Sequence, residues 1–205
     1  MSALEARGLA CSRGGIRLFR DVSFAIAPGE WIAVRGHNGS GKTTLLRCAA
    51  GLTRCDAGEV LWDGRDARKS PAEFRAQLLY SGHAAGIKDD LTATENLRDA
   101  LALRATAPTG ETLRGALARV GLDRHRHLPA RRLSAGQRRR IGLARLALDP
   151  AMLWALDEPL TALDDAGQAI FSDLLERHLA RGGLALVATH HEVAPAPARE
   201  LRLLP

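Results

Sequence analysis

The spacing of apolar residues changes several times along the chain, and each change marks a new element. VSFAIA (22–27) alternates apolar and polar positions in strand fashion and runs into the turn Pro28-Gly29-Glu30. WIAVRG (31–36), a short apolar run closing on glycine, predicts a buried strand. KTTLLRCAA, from Lys42, has helical character and stops at Gly51, while GEVLWDG (58–64) predicts a short strand between glycines. Residues 92–104 predict a helix whose N-cap Thr92 and following Glu95 make a capping box. Leu113, Leu117 and Val120 share one face of a further short helix that ends at Gly121. From Ser134 a helix is expected to about Leu148, with Ile141, Ala144 and Leu148 as its inward stripe and Pro150 as its breaker.

MLWALD (152–157) is an apolar strand ending in a carboxylate, and a helix over 165–181 stops at Gly182-Gly183. LALVAT (184–189) predicts a buried strand ending at a histidine pair, and the tail ELRLLP offers a last strand. Unbroken apolar strands alternating with helices predict an α/β fold, a parallel sheet covered on both faces. The irregular stretch 65–130 suggests an inserted, mostly helical part. At 205 residues the chain suffices for one ample domain, 1–205, and is too short for two.

Composition narrows the partners. The net charge of +6 and pI of about 10.0 suit an anionic partner: nucleotide, nucleic acid or acidic membrane surface. Cys11, Cys48 and Cys55 make no metal-ligand spacing, and their odd number argues against a disulfide framework, so a reducing compartment is expected. No secretory leader is expected, and no stretch approaches the ~18 apolar residues of a membrane span.

The chemistry concentrates in a few short stretches. Gly36-His37-Asn38-Gly39-Ser40-Gly41-Lys42-Thr43, followed by Thr44, fits GxxxxGK[ST] between a strand and a helix, the setting a phosphate loop requires. Its glycines let backbone N–H groups turn toward phosphate oxygens, with Lys42 placed for the outer phosphates and Thr43 as an oxygen ligand for Mg²⁺. Asp157 and Glu158 end an apolar strand where ligands bind in open α/β sheets. Asp157 is the candidate metal holder, and Glu158 the candidate base for a lytic water. His190, ending the next strand, could contact both the γ-phosphate and that water. LSAGQ (133–137) starts a helix with Ser134 as N-cap and Gln137 completing a capping box.

In that order, GHNGSGKTT, LSAGQ, WALDEP, TALD (161–164) and the pair Thr189-His190 resemble the motifs of ATP-binding-cassette (ABC) ATPases and span nearly the whole chain. LSAGQ differs from the family's LSGGQ by one alanine. The resemblance implies a P-loop NTPase fold with a parallel-rich core sheet, an antiparallel β subdomain and an inserted helical subdomain within about 83–150. It implies ATP and Mg²⁺ as ligands and a head-to-tail dimer with a second copy. Ser134, Gly136 and Gln137 would then complete the partner copy's site, with Asp164 at the seam between sites.

Two departures stand out. By spacing from Leu91-Thr92, His83 occupies the place where the family carries a glutamine, and it is expected to link the nucleotide to a membrane partner. Arg13 and glycines replace the aromatic residue that stacks on adenine, which predicts weak base selectivity. GHAAGIKDDLTATENL, AGEVLWDG and ARLALDPAMLWALDEPLTALD together resemble the ATP-binding subunits of the bacterial cytochrome c biogenesis transporter, the haem exporter. That resemblance implies integral membrane partners, a peripheral place on the cytoplasmic face of the inner membrane, and hydrolysis coupled to haem handling or release of a haem chaperone. The alternatives are a subunit of another ABC exporter, or a cassette acting on nucleic acid or the ribosome. The cluster Arg131, Arg132, Arg138, Arg139 and Arg140 would suit the latter, but one cassette without a heptad run argues against it. Those arginines are expected to form a solvated or partner-facing surface, and no nucleic-acid partner is expected.

Overall fold

The computed structural model describes residues 3–82, 86–102, 104 and 108–203. They form two compact units, one made of Met1–Gly82, Ala151–Pro159 and Arg177–Pro205, the other of His83–Pro150 and Leu160–Glu176.

The first unit opens with a long hairpin, β1 (Leu4–Arg13) and β2 (Ile16–Ile26), closed by Gly14-Gly15 with Arg13 opposite Ile16. β3 (Trp31–Arg35) leads to α1 (Lys42–Ala49), then β4 (Ala57–Trp62), β5 (Arg65–Asp66), α2 (Pro71–Gln77) and β6 (Leu78–Ser81). The chain returns to this unit as β7 (Leu153–Asp157), β8 (Leu184–Ala188) and β9 (Arg199–Arg202). The hairpin joins an antiparallel sheet in the order β2-β1-β4-β5, and the other strands form a parallel sheet in the order β6-β7-β8-β3-β9. Central β7 and β8 are buried at every residue, and LWAL and LALVA are accordingly apolar without alternation. Leu4, Leu9, Phe24 and Ile26 of the antiparallel sheet share one core with Ile32, Val34 and Leu186 of the parallel sheet and Leu45 and Leu46 of α1. Beside β7, the Trp154 ring stacks on His178 with centroids 3.8 Å apart and planes 10° from parallel.

The sequence pattern missed β1, α2 and β6. Residues 65–82 fold with the first unit instead of beginning an insertion, because β6 lies parallel to β7 with Leu78 opposite Leu153. β6 has only four residues, LLYS, and the pairing that makes it a strand lies more than seventy positions downstream.

The second unit contains α3 (Ala93–Ala102), α4 (Gly110–Arg119) and α5 (Ala135–Leu148). It also takes most of α6 (Asp165–Ala180), whose remainder belongs to the first unit. Both expected capping boxes are present. Thr92 N–H donates to Glu95 Oε2 at 2.8 Å and Glu95 N–H returns to Thr92 Oγ1 at 3.2 Å. At α5, Ser134 N–H donates to Gln137 Oε1 at 2.9 Å and Gln137 N–H to Ser134 Oγ at 3.1 Å.

The inward face of α5 differs from the expected stripe. Ile141 and Ala144 are buried, but so are Leu143 and Leu146, while Leu148 is half-buried. The helix packs against both α3 and α4, so apolar residues cover two of its sides. The arginine cluster also needs correction. Arg139 is buried, and Arg138 and Arg140 are half-buried and hydrogen-bonded, leaving Arg131 and Arg132 as its exposed members.

Candidate nucleotide site

β3 delivers the chain to Gly36 at the carboxyl end of the parallel sheet, and Gly41 turns it into α1. Gly41 is the helix N-cap with φ 93°, and a Cβ there would stand 3.0 Å from Leu18 Cβ and 3.2 Å from the Phe19 ring of β2. Only glycine satisfies both the left-handed backbone and the close approach. The N-cap therefore offers no side chain to α1, and the helix's first N–H groups are left for an anion. His37, Asn38 and Gly39 are exposed around this turn, with His37 Nδ1 bonded to Asn38 O at 2.8 Å. Ser40 is buried, its Oγ without a hydrogen-bond partner, and Thr44 is half-buried in α1.

Lys42 is drawn into a polar cluster. Its Nζ donates to Gly36 O at 2.7 Å and His37 O at 3.2 Å, and lies 3.2 Å from His190 Nε2 and 3.9 Å from Glu158 Oε1. His190 Nε2 is in turn 3.2 Å from Glu158 Oε1, so the three side chains close a triangle. Beside it, Thr43 Oγ1 donates to Asp157 Oδ2 at 2.7 Å. Asp157 is buried as the last residue of β7, and it adds to the burial that raises the Tyr80 phenol above its usual range.

Glu158 has a left-handed backbone, φ 50°, and its N–H donates to Ala188 O at 2.8 Å, tying the ends of β7 and β8 together. His190 is half exposed, but the backbone around it is held by Arg35. That guanidinium donates to Thr189 O at 2.7 Å and His191 O at 2.8 Å. Sequence reasoning missed Arg35; its only signal is a charged residue ending an otherwise buried strand.

These groups suit a metal-bound polyphosphate. The loop offers an uncapped helix start, an unpartnered buried hydroxyl and one ammonium, while Thr43 and Asp157 set two hard oxygens side by side. Among the described residues no group of three His, Cys, Asp or Glu side chains is placed to hold a metal. That is compatible with Mg²⁺, which takes one or two protein oxygens and fills its shell with water and phosphate.

Ser134, Gly136 and Gln137 belong to the second unit. Ser134 is exposed at the start of α5, and a Cβ on Gly136 would lie 2.8 Å from Ala162 O, so glycine lets α5 pack against the TALD turn. From α5, Arg140 donates to Asp164 Oδ1 at 2.6 Å and to Val120 O at 2.9 Å. Asp164 Oδ1 also accepts from Gly167 N–H at 3.0 Å. The Arg140 hydrogen bond, followed by that of Gly167, holds the exposed Asp164 carboxyl below the usual carboxylate range. Sequence reading had assigned Arg140 to the surface and missed this brace. The structure thus gathers Gly36–Thr44, Asp157, Glu158 and His190 in one unit and places the LSAGQ residues in the other, while His83 lies outside the described residues.

The sequence model of the ABC transporter family matches residues 19–161. The chain is 48% identical over 200 residues to the cytochrome c biogenesis ATP-binding export protein CcmA of Pseudomonas aeruginosa, covering 98% of each chain. The protein of that name from Nitrosomonas europaea is 50% identical over 190 residues, covering 93% of this chain and 89% of the relative. Among solved structures, an ABC transporter ATP-binding protein from Pyrococcus furiosus superposes with TM-score 0.84 at 21% identity, covering 98% of this chain and 96% of that one. An ATP-binding cassette in a dimeric post-hydrolysis state with ADP and phosphate superposes with TM-score 0.82 at 24% identity, covering 98% and 94%. These structures establish the P-loop cassette fold, with parallel and antiparallel sheets and added helices. With its phosphate loop closed by Gly41 and a family match across most of its length, the chain belongs to the ABC transporter ATP-binding subunits, among the cytochrome c biogenesis ATP-binding export proteins.

Proposed function

We propose that this chain hydrolyses ATP as a subunit of a membrane ABC complex, the haem exporter of c-type cytochrome biogenesis, coupling hydrolysis to haem handling or to release of a haem chaperone. The observation that carries the reading is the triangle of Lys42, Glu158 and His190 at the uncapped start of α1, in a chain close to half identical to export proteins of that name.

In this reading the backbone of Gly36–Gly41 and the N–H groups of Lys42, Thr43 and Thr44 cradle the phosphates. Lys42 exchanges its present loop carbonyls for phosphate oxygens. Thr43 Oγ1 and Asp157 would hold Mg²⁺, which would supply charge to neutralise the phosphates. Glu158 accepts a hydrogen bond from the attacking water and withdraws its proton, and His190, 3.2 Å from Glu158 Oε1, fixes the carboxylate's orientation. Glu158 is aimed by its backbone and Lys42 is held close by, so little reorganisation is needed at the moment of reaction.

Ser134, Gly136 and Gln137 serve the site of a second copy, and Asp164, braced by Arg140, lies at the seam. Among the described residues no helix is long and apolar enough to cross a membrane. In this reading integral membrane subunits hold the chain at the cytoplasmic face of the inner membrane. Affinity purification from gently solubilised membranes tests the assignment. Integral membrane proteins should copurify in fixed proportion, with ATPase activity in the complex; recovery with ribosomes or nucleic acid instead would reject it.

A further inference from the structure

The three cysteines stand far apart in the sequence, yet the first unit brings them together away from the nucleotide site. Cys11 is buried on β1 and Cys48 is buried in the last turn of α1. The chain then reverses, with the N–H groups of Leu52 and Thr53 both returning to Arg47 O at 2.8 and 3.1 Å, and this turn carries a half-buried Cys55 back to Cys48. The Cys48 and Cys55 thiols lie near enough to shift each other's pKa, and Cys11 and Cys48 influence each other as well. Cys48 and Cys55 also line one cavity of about 310 Å³, whose wall includes the exposed Leu52. A space of that size admits several water-sized molecules.

The two thiols are unequal. Donation from Cys48 lowers the Cys55 pKa first, with Arg68 and Arg13 adding to it against burial and Asp56. The bond to Cys55, followed by burial, raises that of Cys48. Cys55 is the half-buried thiol and Cys48 the buried one, so burial favours ionisation at the thiol nearer water and leaves its neighbour a proton to give. Reactive cysteines with a resolving partner share this asymmetry.

We propose that Cys55 and Cys48 form a reversible dithiol–disulfide pair, with Cys55 attacking hydrogen peroxide and Cys48 resolving the product. In the first step the Cys55 thiolate sulfur attacks one peroxide oxygen and the O–O bond breaks. Cys55 becomes a sulfenic acid, and the departing hydroxide takes a proton to leave as water. In the second step the Cys48 sulfur attacks the sulfenic sulfur, the S–O bond breaks, and hydroxide leaves as water with the Cys48 proton. Two electrons pass from the thiol pair to one peroxide, and an external dithiol reverses the change. Cys11, enclosed on β1, stays reduced. The pair sits at the far end of the helix whose start forms the phosphate loop, an eight-residue helix roughly 12 Å long.

The experiment treats the folded full-length chain with stoichiometric hydrogen peroxide, then maps peptides and counts thiols. The expected result is a fall from three free thiols to one, a Cys48–Cys55 cross-linked peptide, and full recovery with dithiothreitol. Cys48→Ser should stop at a Cys55 sulfenic acid that a dimedone probe labels. Cys55→Ser should slow peroxide consumption at least tenfold, and Cys11→Ser should behave as wild type. A cross-link through Cys11, an unchanged rate in Cys55→Ser, or three thiols persisting in the folded wild type would each overturn the proposal. The wild-type map decides even if a variant misfolds.

Discussion

Glu158 and Lys42 stand 3.9 Å apart with His190 between them, and in the proposed mechanism each side chain has a different task. Exchanging the Glu158 carboxylate for an amide keeps its shape and removes its basicity. Glu158→Gln should therefore bind ATP as wild type does and release phosphate at least ~100-fold more slowly, the usual contribution of a positioned base. Equilibrium nucleotide binding together with a phosphate-release assay checks both halves, and wild-type turnover would dismiss Glu158 as the base. At this scale the sequence was informative, because GxxxxGK[ST] ties residue type to fixed spacing and Asp157-Glu158 closes an apolar run. Arg35 and the left-handed turn at Glu158 were illegible for a physical reason. Both depend on which strands lie side by side, and the carbonyls that Arg35 holds come from the chain after β8.

Among the elements, α5 and the TALD turn are fitted to each other through Gly136 and Arg140. Gly136→Ala would push a methyl to 2.8 Å from Ala162 O, a backbone atom that cannot swing aside. Helix and turn must separate, at a cost of about 1–3 kcal/mol by analogy with overpacking. Denaturant titration should show the lower midpoint, and ATPase activity of the assembled complex should fall with it. Arg140→Met keeps much of the side chain's bulk but releases Asp164. It should leave ATP binding by the isolated chain unchanged while lowering turnover of the complex; equal turnover would remove Asp164 positioning from the mechanism. The capping boxes of α3 and α5 were readable because both partners lie within one helical turn. The strands β1 and β6 were not, since polar residues and Gly8 interrupt β1, and β6 acquires its identity only beside β7.

For the whole molecule, the proposed sharing of each site between two copies makes their cooperation testable. Lys42→Ala and Ser134→Ala should each abolish activity alone. Mixed, they should recover part of it, because both defects can fall in one composite site and leave the other intact. No recovery on mixing would count against shared sites. Stability should also carry a pH signature from His178. Burial pushes its pKa down from 6.5 to about 4, with Arg181 acting in the same direction against the Leu184 carbonyl. The unfolded chain takes up this proton first, so stability is full above about pH 6.5 and is lost as the pH falls toward 4. Between pH 7 and pH 5 the loss should be about 2 kcal/mol. His178→Gln should flatten that dependence in denaturant melts, even though its starting stability is lower.

The main chain at Glu158 turns through a region that side-chain-bearing residues avoid, and a scaffold with no catalytic duty there would have used glycine. Comparing Glu158→Gly with Glu158→Ala isolates that burden, since both are inert and both lack the carboxylate. The glycine form should be sturdier by about 1 kcal/mol in thermal melts. The wild-type chain thus forgoes some ruggedness to keep a carboxylate at this turn.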